Sequence, residues 1–155
     1  MRIQLATIGR LSPSPETDLT RDYVRRATLS GRPLGLGPVE ILEVDPRKSG
    51  KAPEAEALRE ALGDGVCVMA CDERGKTFTS RAFASQIEKL RDQGERRLAF
   101  VIGGADGLDP AFVAEARLTL AFGPQTWPHA LARVMLAEQV YRAITILGGS
   151  PYHRD

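Results

Sequence analysis

The chain has 155 residues, a formal net charge of +1, 43% hydrophobic and 26% charged residues, and only two histidines and two cysteines. That length can bury a sizeable core without disulfides or metals, and no apolar run reaches the ~18 residues that a membrane span needs. The near-zero charge excludes a whole-molecule field for phosphate, so any nucleic-acid binding has to come from a local patch such as Arg47, Lys48 and Lys51.

Residues 2–8 open the chain as a half-buried strand, in which β-branched residues and Leu alternate with polar ones. The opening MRIQLATIGR has neither a long apolar stretch nor a small-residue cleavage site, which leaves the cytoplasm as the expected location. Helical spacing of Leu19, Tyr23, Val24 and Ala27 predicts a helix over 17–29, and GRPLGLGP is a turn-rich connection to a second strand at 39–44. A basic loop, DPRKSGKAP, leads to a short helix over 53–62. The run GVCVMAC predicts a strand over 66–71 with both cysteines on one face. Two thiols with no other ligand nearby cannot complete a zinc site, so they read as small buried hydrophobes and no metal is expected.

A helix over 79–93 follows, with Phe83, Ile87 and Leu90 along one face, and then a buried strand over 98–102. Asp109 is placed to cap a further helix with Pro110 in its first position. A short strand over 118–122 and a long helix over about 130–147 complete the pattern. Strands alternating with helices predict one α/β domain, residues 1–155, with a largely parallel sheet.

Three features point to chemistry. The loop IGGADGL, residues 102–108, closes a buried strand, where open α/β sheets bind ligands. It fits a tight turn without a ligand as well as a binding loop. It does not fit a dinucleotide fingerprint, which needs GxGxxG in the first strand-to-helix turn and an acidic residue about twenty positions on. The last helix has two apolar faces: Leu136, Ala137, Val140 and Ile144 on one, and Leu131, Val134, Met135 and Tyr141 with Glu138 and Arg142 on the other. One face belongs against the sheet and the other against a second chain. Glu138 and Arg142 are spaced i,i+4, so they either border that interface as a salt bridge or fix Arg142 toward a substrate. The third feature is the tail, in which GGSP reads as a turn that folds Tyr152, His153 and Arg154 back. A stacking ring, an imidazole and a guanidinium in succession suit an extruded RNA base.

The segment WPHALARVMLAEQVYRAITILGGSPYHRD resembles the carboxyl-terminal signature of the large-subunit ribosomal RNA methyltransferase H family, of the SPOUT class. FVIGGADGL is similar to that family's glycine loop and LAFGPQTWPH to its cofactor loop, while MRIQLATIGR and DERGK also fit, so the likeness spans the chain. The resemblance implies a mostly parallel sheet flanked by helices and a deep trefoil knot at the carboxyl end, within a cofactor-binding region of about 66–155. It implies a homodimer that uses S-adenosylmethionine to methylate N3 of a pseudouridine in large-subunit ribosomal RNA, in the assembled ribosome. By the same alignment the cofactor lies among Cys71, Gly103, Gly104 and the loop Phe122, Gly123, Pro124, Gln125, Thr126 and Trp127. Cys71 stands where the family usually has leucine, and Pro124 offers no backbone N–H.

The chemistry needs the N3 imide proton removed and the resulting charge stabilised. His153 is the expected base, Arg142 (held by Glu138) and Arg154 the stabilising cations, and Tyr152 the stacking partner. His129 and Arg133 are expected at phosphates or at the dimer partner. Two other readings compete: a non-catalytic ribosome-associated protein of the same fold, and a nucleotide- or flavin-binding α/β protein.

Overall fold

A computed structural model describes residues 1–154. It contains strands β1 (Arg2–Ile8), β2 (Val39–Val44), β3 (Cys67–Lys76), β4 (Arg97–Ile102) and β5 (Leu118–Leu120). The helices are α1 (Pro15–Gly31), α2 (Lys51–Leu62), α3 (Ser80–Asp92), α4 (Pro110–Glu115) and α5 (His129–Leu147), with a short 3-10 turn at Arg32–Leu34. The five strands pair in parallel in the order β2-β1-β4-β3-β5.

Side-chain alternation along the central strands divides the core in two. Ile3 and Leu5 of β1, Met69 of β3, and Leu98, Phe100 and Ile102 of β4 face α1, α3 and α5. Ala6, Ala70, Ala99 and Val101 face α2 and α4, so the large residues lie on the three-helix side and the small ones on the two-helix side. Crossovers toward the β2 edge pass over the first face and those toward the β5 edge over the second. Every crossover therefore has one hand, as parallel sheets demand.

Helix starts follow local chemistry. Ser14 Oγ accepts from the Thr17 N–H at 3.1 Å, Thr79 Oγ1 from the Ala82 N–H at 3.1 Å, and Asp109 Oδ1 from the Ala111 and Phe112 N–H groups at 2.9 and 3.3 Å. Pro15 and Pro110 open α1 and α4 in the position that needs no N–H. The strands at 2–8 and 39–44 match the sequence expectation.

The third strand does not: it runs on to Lys76 instead of ending at Cys71. Leu120 of β5 pairs with both Cys71 and Lys76, and the residues between them bulge over the carboxyl end of the sheet. A Cβ on Gly75 would stand 2.7 Å from the backbone carbonyl carbons of Thr119 and Leu120, so only glycine lets the strands close up there. Another shift concerns Lys51, expected in a loop, which opens α2. α5 leaves the edge strand β5 and returns over the three-helix face to lie against α1 and α3.

Candidate active site

The carboxyl ends of β3, β4 and β5 open onto one cavity of about 490 Å³. Its floor is apolar, formed by Cys71, Ile102, Leu120 and Phe122, and its rim carries Asp72, Glu73, Asp106, Lys51 and Arg74. The β3 bulge puts three of those rim residues in place, and the Asp72 carboxylate accepts from the Arg74 N–H at 2.9 Å to hold its turn. Burial pushes the Cys71 thiol up to about 12, which keeps it neutral.

The glycine loop folds on itself before it meets any ligand. The Gly107 N–H donates to the Gly104 carbonyl at 2.9 Å. A Cβ on Gly103 would stand 2.8 Å from the Gly107 carbonyl carbon and the Leu108 nitrogen, so Gly103 is required by the turn itself. At Gly104 the nearest atoms a Cβ would meet are those of the Glu54 carboxylate, from 2.8 Å. Of the expected cofactor residues, Cys71, Gly103, Phe122, Gly123, Gln125, Thr126 and Trp127 line the cavity. Gly104 faces α2 instead. His129, expected at phosphates or at the dimer partner, lines the cavity at the start of α5.

Arg133 turns inward rather than toward solvent. Its Nη2 donates to the Ile8 carbonyl at the end of β1, 2.9 Å away, while its Nε is buried without a partner. Burial depresses its pKa, with the charge of Glu43 acting in the opposite direction.

The second cluster lies further along α5. Its inner face, Leu136, Ala137, Val140 and Ile144, is fully buried, as the wheel predicts. On the outer face the tail returns and docks on its own helix. Glu138 Oε1 accepts Arg142 Nε at 2.9 Å, Arg142 Nη2 at 2.5 Å and the Tyr152 hydroxyl at 3.0 Å. The Tyr152 ring lies 4.7 Å from that of Tyr141 and beneath the Arg142 guanidinium at 4.9 Å. Arg142 Nη1 lies 3.2 Å from His153 Nδ1. Burial first, then hydrogen bonds with Tyr23 and Glu138, raise the Tyr152 phenol well above its ordinary range. The structure thus brings together four of the five expected catalytic residues, and the fifth, Arg154, is exposed at the end of the tail.

Tyr23, Tyr141, Gln139 and Ser80 belong to this cluster and were given no role in the chemistry from sequence. Tyr23 reaches it from α1, with its ring 5.9 Å from Tyr141. Ser80 Oγ donates to Gln139 Oε1 from α3 at 2.9 Å, and Gln139 Nε2 donates to Glu138 Oε2 at 2.7 Å. Nothing in the local pattern marks Ser80 or Tyr23, because their partners lie on other elements.

A groove of about 530 Å³ connects the two regions. It shares Leu120, Ala121, Phe122 and Gly123 with the cavity and takes in Glu138 and Gln139 of the cluster. Leu19, which lines the groove, is 45% exposed, and Leu131 of α5 is 41% exposed, so part of the outer α5 face is uncovered. Among the described residues no group of three His, Cys, Asp or Glu could hold a metal, and no helix is long and apolar enough to cross a membrane.

A family model described as "Predicted SPOUT methyltransferase" matches residues 1–153. The chain belongs to the SPOUT methyltransferase family. A relative from Phenylobacterium zucineum named ribosomal RNA large subunit methyltransferase H is 70% identical over 155 residues, with 100% of each chain covered. One of the same name from Caulobacter vibrioides is 63% identical, over 100% of this chain and 99% of the relative. Among solved structures, a probable methyltransferase from Bordetella pertussis has a TM-score of 0.57 at 20% identity, covering 92% of this chain and 96% of that one. A probable methylase family protein from Haemophilus influenzae has a TM-score of 0.56 at 15% identity, covering 99% and 70%. Those two likenesses carry the fold alone, an α/β domain with a parallel sheet flanked by helices, as the sequence predicts; the SPOUT class comes from the family model.

Proposed function

We propose that this SPOUT methyltransferase transfers a methyl group from S-adenosylmethionine to N3 of a pseudouridine in large-subunit ribosomal RNA, as a cytoplasmic homodimer acting on the assembled ribosome. The observation that carries the reading is the union of a nucleoside-sized cavity, at the carboxyl ends of three strands, with a groove leading to the Glu138–Arg142–Tyr152–His153 cluster. The names of relatives at 63–70% identity over the whole chain supply the substrate class.

The cavity fits the cofactor. Its apolar floor of Cys71, Ile102, Leu120 and Phe122 suits adenine, and the carboxylates of Asp72, Glu73 and Asp106 favour a cationic ligand. Lys51 at the rim suits the carboxylate of an amino-acid end. When bound, S-adenosylmethionine supplies an electrophilic methyl group on a sulfonium sulfur. Arg142, fixed by two bonds to Glu138, is positioned to stabilise negative charge on an imide. Tyr152 and Tyr141 offer ring faces for stacking. The half-covered outer face of α5, with Leu131, Val134 and Met135, supports a second copy as its cover. The return of α5 from the edge strand across the sheet supports a knotted carboxyl segment.

The test is transfer of labelled methyl groups to ribosomes and free ribosomal RNA from cells lacking the modification. Digestion to nucleosides should place the label on N3-methylpseudouridine, and light scattering should give twice the 16.9 kDa chain mass. Ribosome binding without transfer would leave a non-catalytic factor, and label on another nucleoside would overturn the substrate assignment.

A further inference from the structure

α4 is the shortest α-helix of the fold, yet it forms part of the cavity wall. It has six residues, Pro110–Glu115, far short of the ~12 that a helix needs to persist alone. Phe112 is its only buried residue. Pro110 and Val113 line the cavity, and the helix follows directly on the glycine turn, whose Gly107 and Leu108 line it too. Positions 110 and 113 share one side of the helix, and 112 and 115 share another. A tilt of α4 about Phe112 therefore moves a wall of the cavity, and a group outside the helix has to set that tilt.

Arg59 of α2 supplies that restraint. Its Nε and Nη2 donate to Glu115 Oε2 and Oε1 at 3.0 and 2.8 Å, a two-point fork that fixes angle as well as distance. Its guanidinium carbon lies over the Phe112 ring, 5.7 Å from the ring centre. The charge of Asp109, which caps α4, also acts on this cation. One arginine thus reaches the last residue of α4, its buried anchor and the field of its cap. The pair is exposed, 41% and 59% at the two side chains, so it adds little to the stability of the whole chain. What it adds is position, because α2 also brings Lys51 to the cavity rim.

We propose that Arg59 and Glu115 are positioning residues for the cofactor: their fork braces α4 against α2 and holds the glycine turn and the cavity wall in the shape that binds it. For the ligand this rests on the function proposed above, but the brace belongs to the chain itself. Neither residue lines the cavity, and Arg59 lies eight residues along α2 from Lys51, about 12 Å at 1.5 Å per residue. Both act only through the backbone that they place.

Two measurements decide it, and the first needs no ligand. Hydrogen exchange on the full chain should show peptides spanning 103–116 exchanging about fivefold faster in Arg59→Gln and in Glu115→Gln than in the wild type. Peptides of β4 and α5 should keep wild-type rates, and the midpoint of thermal unfolding should fall by less than about 3 °C. Unaltered exchange over 103–116 would overturn the brace, and so would faster exchange spread evenly along the chain.

The second measurement is calorimetry with S-adenosylmethionine. Each single variant should weaken binding about fivefold, and the double variant Arg59→Gln/Glu115→Gln no more than either, because the two act through one contact. Turnover with cofactor and ribosomes saturating should stay within about twofold of the wild type, since the brace shapes binding and not transfer. Affinity within about twofold of the wild type in every variant would overturn the proposal. Losses that multiply in the double variant, or a fall in turnover without a fall in affinity, would do the same. Faster exchange over 103–116 in a chain that binds no S-adenosylmethionine even as wild type would bear out the brace and overturn the function proposed above.

Discussion

The cofactor cavity and the tail cluster are built from different materials. The cavity is a product of backbone: a β3 bulge, a glycine turn that closes on itself, and a loop after β5, all set by strand pairing. The tail cluster is a product of side chains, with a carboxylate, a guanidinium, a phenol and an imidazole in contact on one helix surface. They are also separate in space. From Ala132 at the cavity edge to Glu138 and Arg142 is six and ten residues of α5, about 9 and 15 Å at 1.5 Å per residue. Binding should thus tolerate changes of side chain and fail with changes of backbone, whereas chemistry should do the opposite.

The largest effect that breaks the two apart is removal of the tail. A chain ending at Pro151 loses Tyr152 and His153 from the cluster, yet keeps every residue that lines the cavity. We expect methyl transfer to fall by at least about 10³-fold, the combined loss of positioned donors and a stacking ring. Calorimetry should find S-adenosylmethionine affinity changed by less than about threefold. A parallel loss of affinity would mean that the tail helps to build the cofactor site and that the division is false.

This division also explains what could be read from the sequence. Periodicity placed nearly every element, because each is amphipathic or fully apolar over its own length. Strands 2–8 and 39–44 and the Asp109 cap came out as expected. The β3 bulge was not legible, since it depends on Leu120 pairing with both Cys71 and Lys76, some fifty residues away in the chain. The same holds for the tail cluster. Glu138 and Arg142 announce themselves by i,i+4 spacing on one helix. Ser80 and Tyr23 give no local sign, because what matters about them is a contact with another element. Arg133 is the instructive case: its motif position suggested an exposed contact, but α5 runs close enough to β1 for the Ile8 carbonyl to claim it.

A smaller effect separates two neighbouring glycines. In Gly103→Ala the new Cβ meets backbone at 2.8 Å, which cannot yield without moving the turn. Cofactor affinity should drop about tenfold or more, with about 1–3 kcal/mol lost in urea denaturation. In Gly104→Ala the nearest atoms to the Cβ are at the end of the Glu54 side chain, which can rotate aside, so affinity should change less than about threefold. Equal losses at the two positions would show that the ligand touches Gly104 directly and that the loop is more than a self-closing turn.

The smallest effect is at Cys71, where the cavity floor is a side chain and the backbone rule predicts tolerance. Burial moves the thiol from its ordinary 9.0 to about 12, so at pH 8 it holds about 10³-fold less thiolate than a free cysteine. Iodoacetamide should therefore modify Cys67 before Cys71, as peptide mapping would show. Cys71→Leu keeps the floor apolar and should leave cofactor affinity within about threefold. The stability consequence has a definite sign. Because the folded chain holds this proton more tightly than the unfolded one, stability is intact below pH 9 and falls as the pH rises from 9 toward 12. Cys71→Leu has no proton to lose, so its stability relative to the wild type should improve by about 1–2 kcal/mol between pH 8 and pH 10.5 in urea melts. A difference that stays flat over that range would mean that the thiol is open to water. The cavity floor would then be polar, and the place assigned to adenine would be wrong.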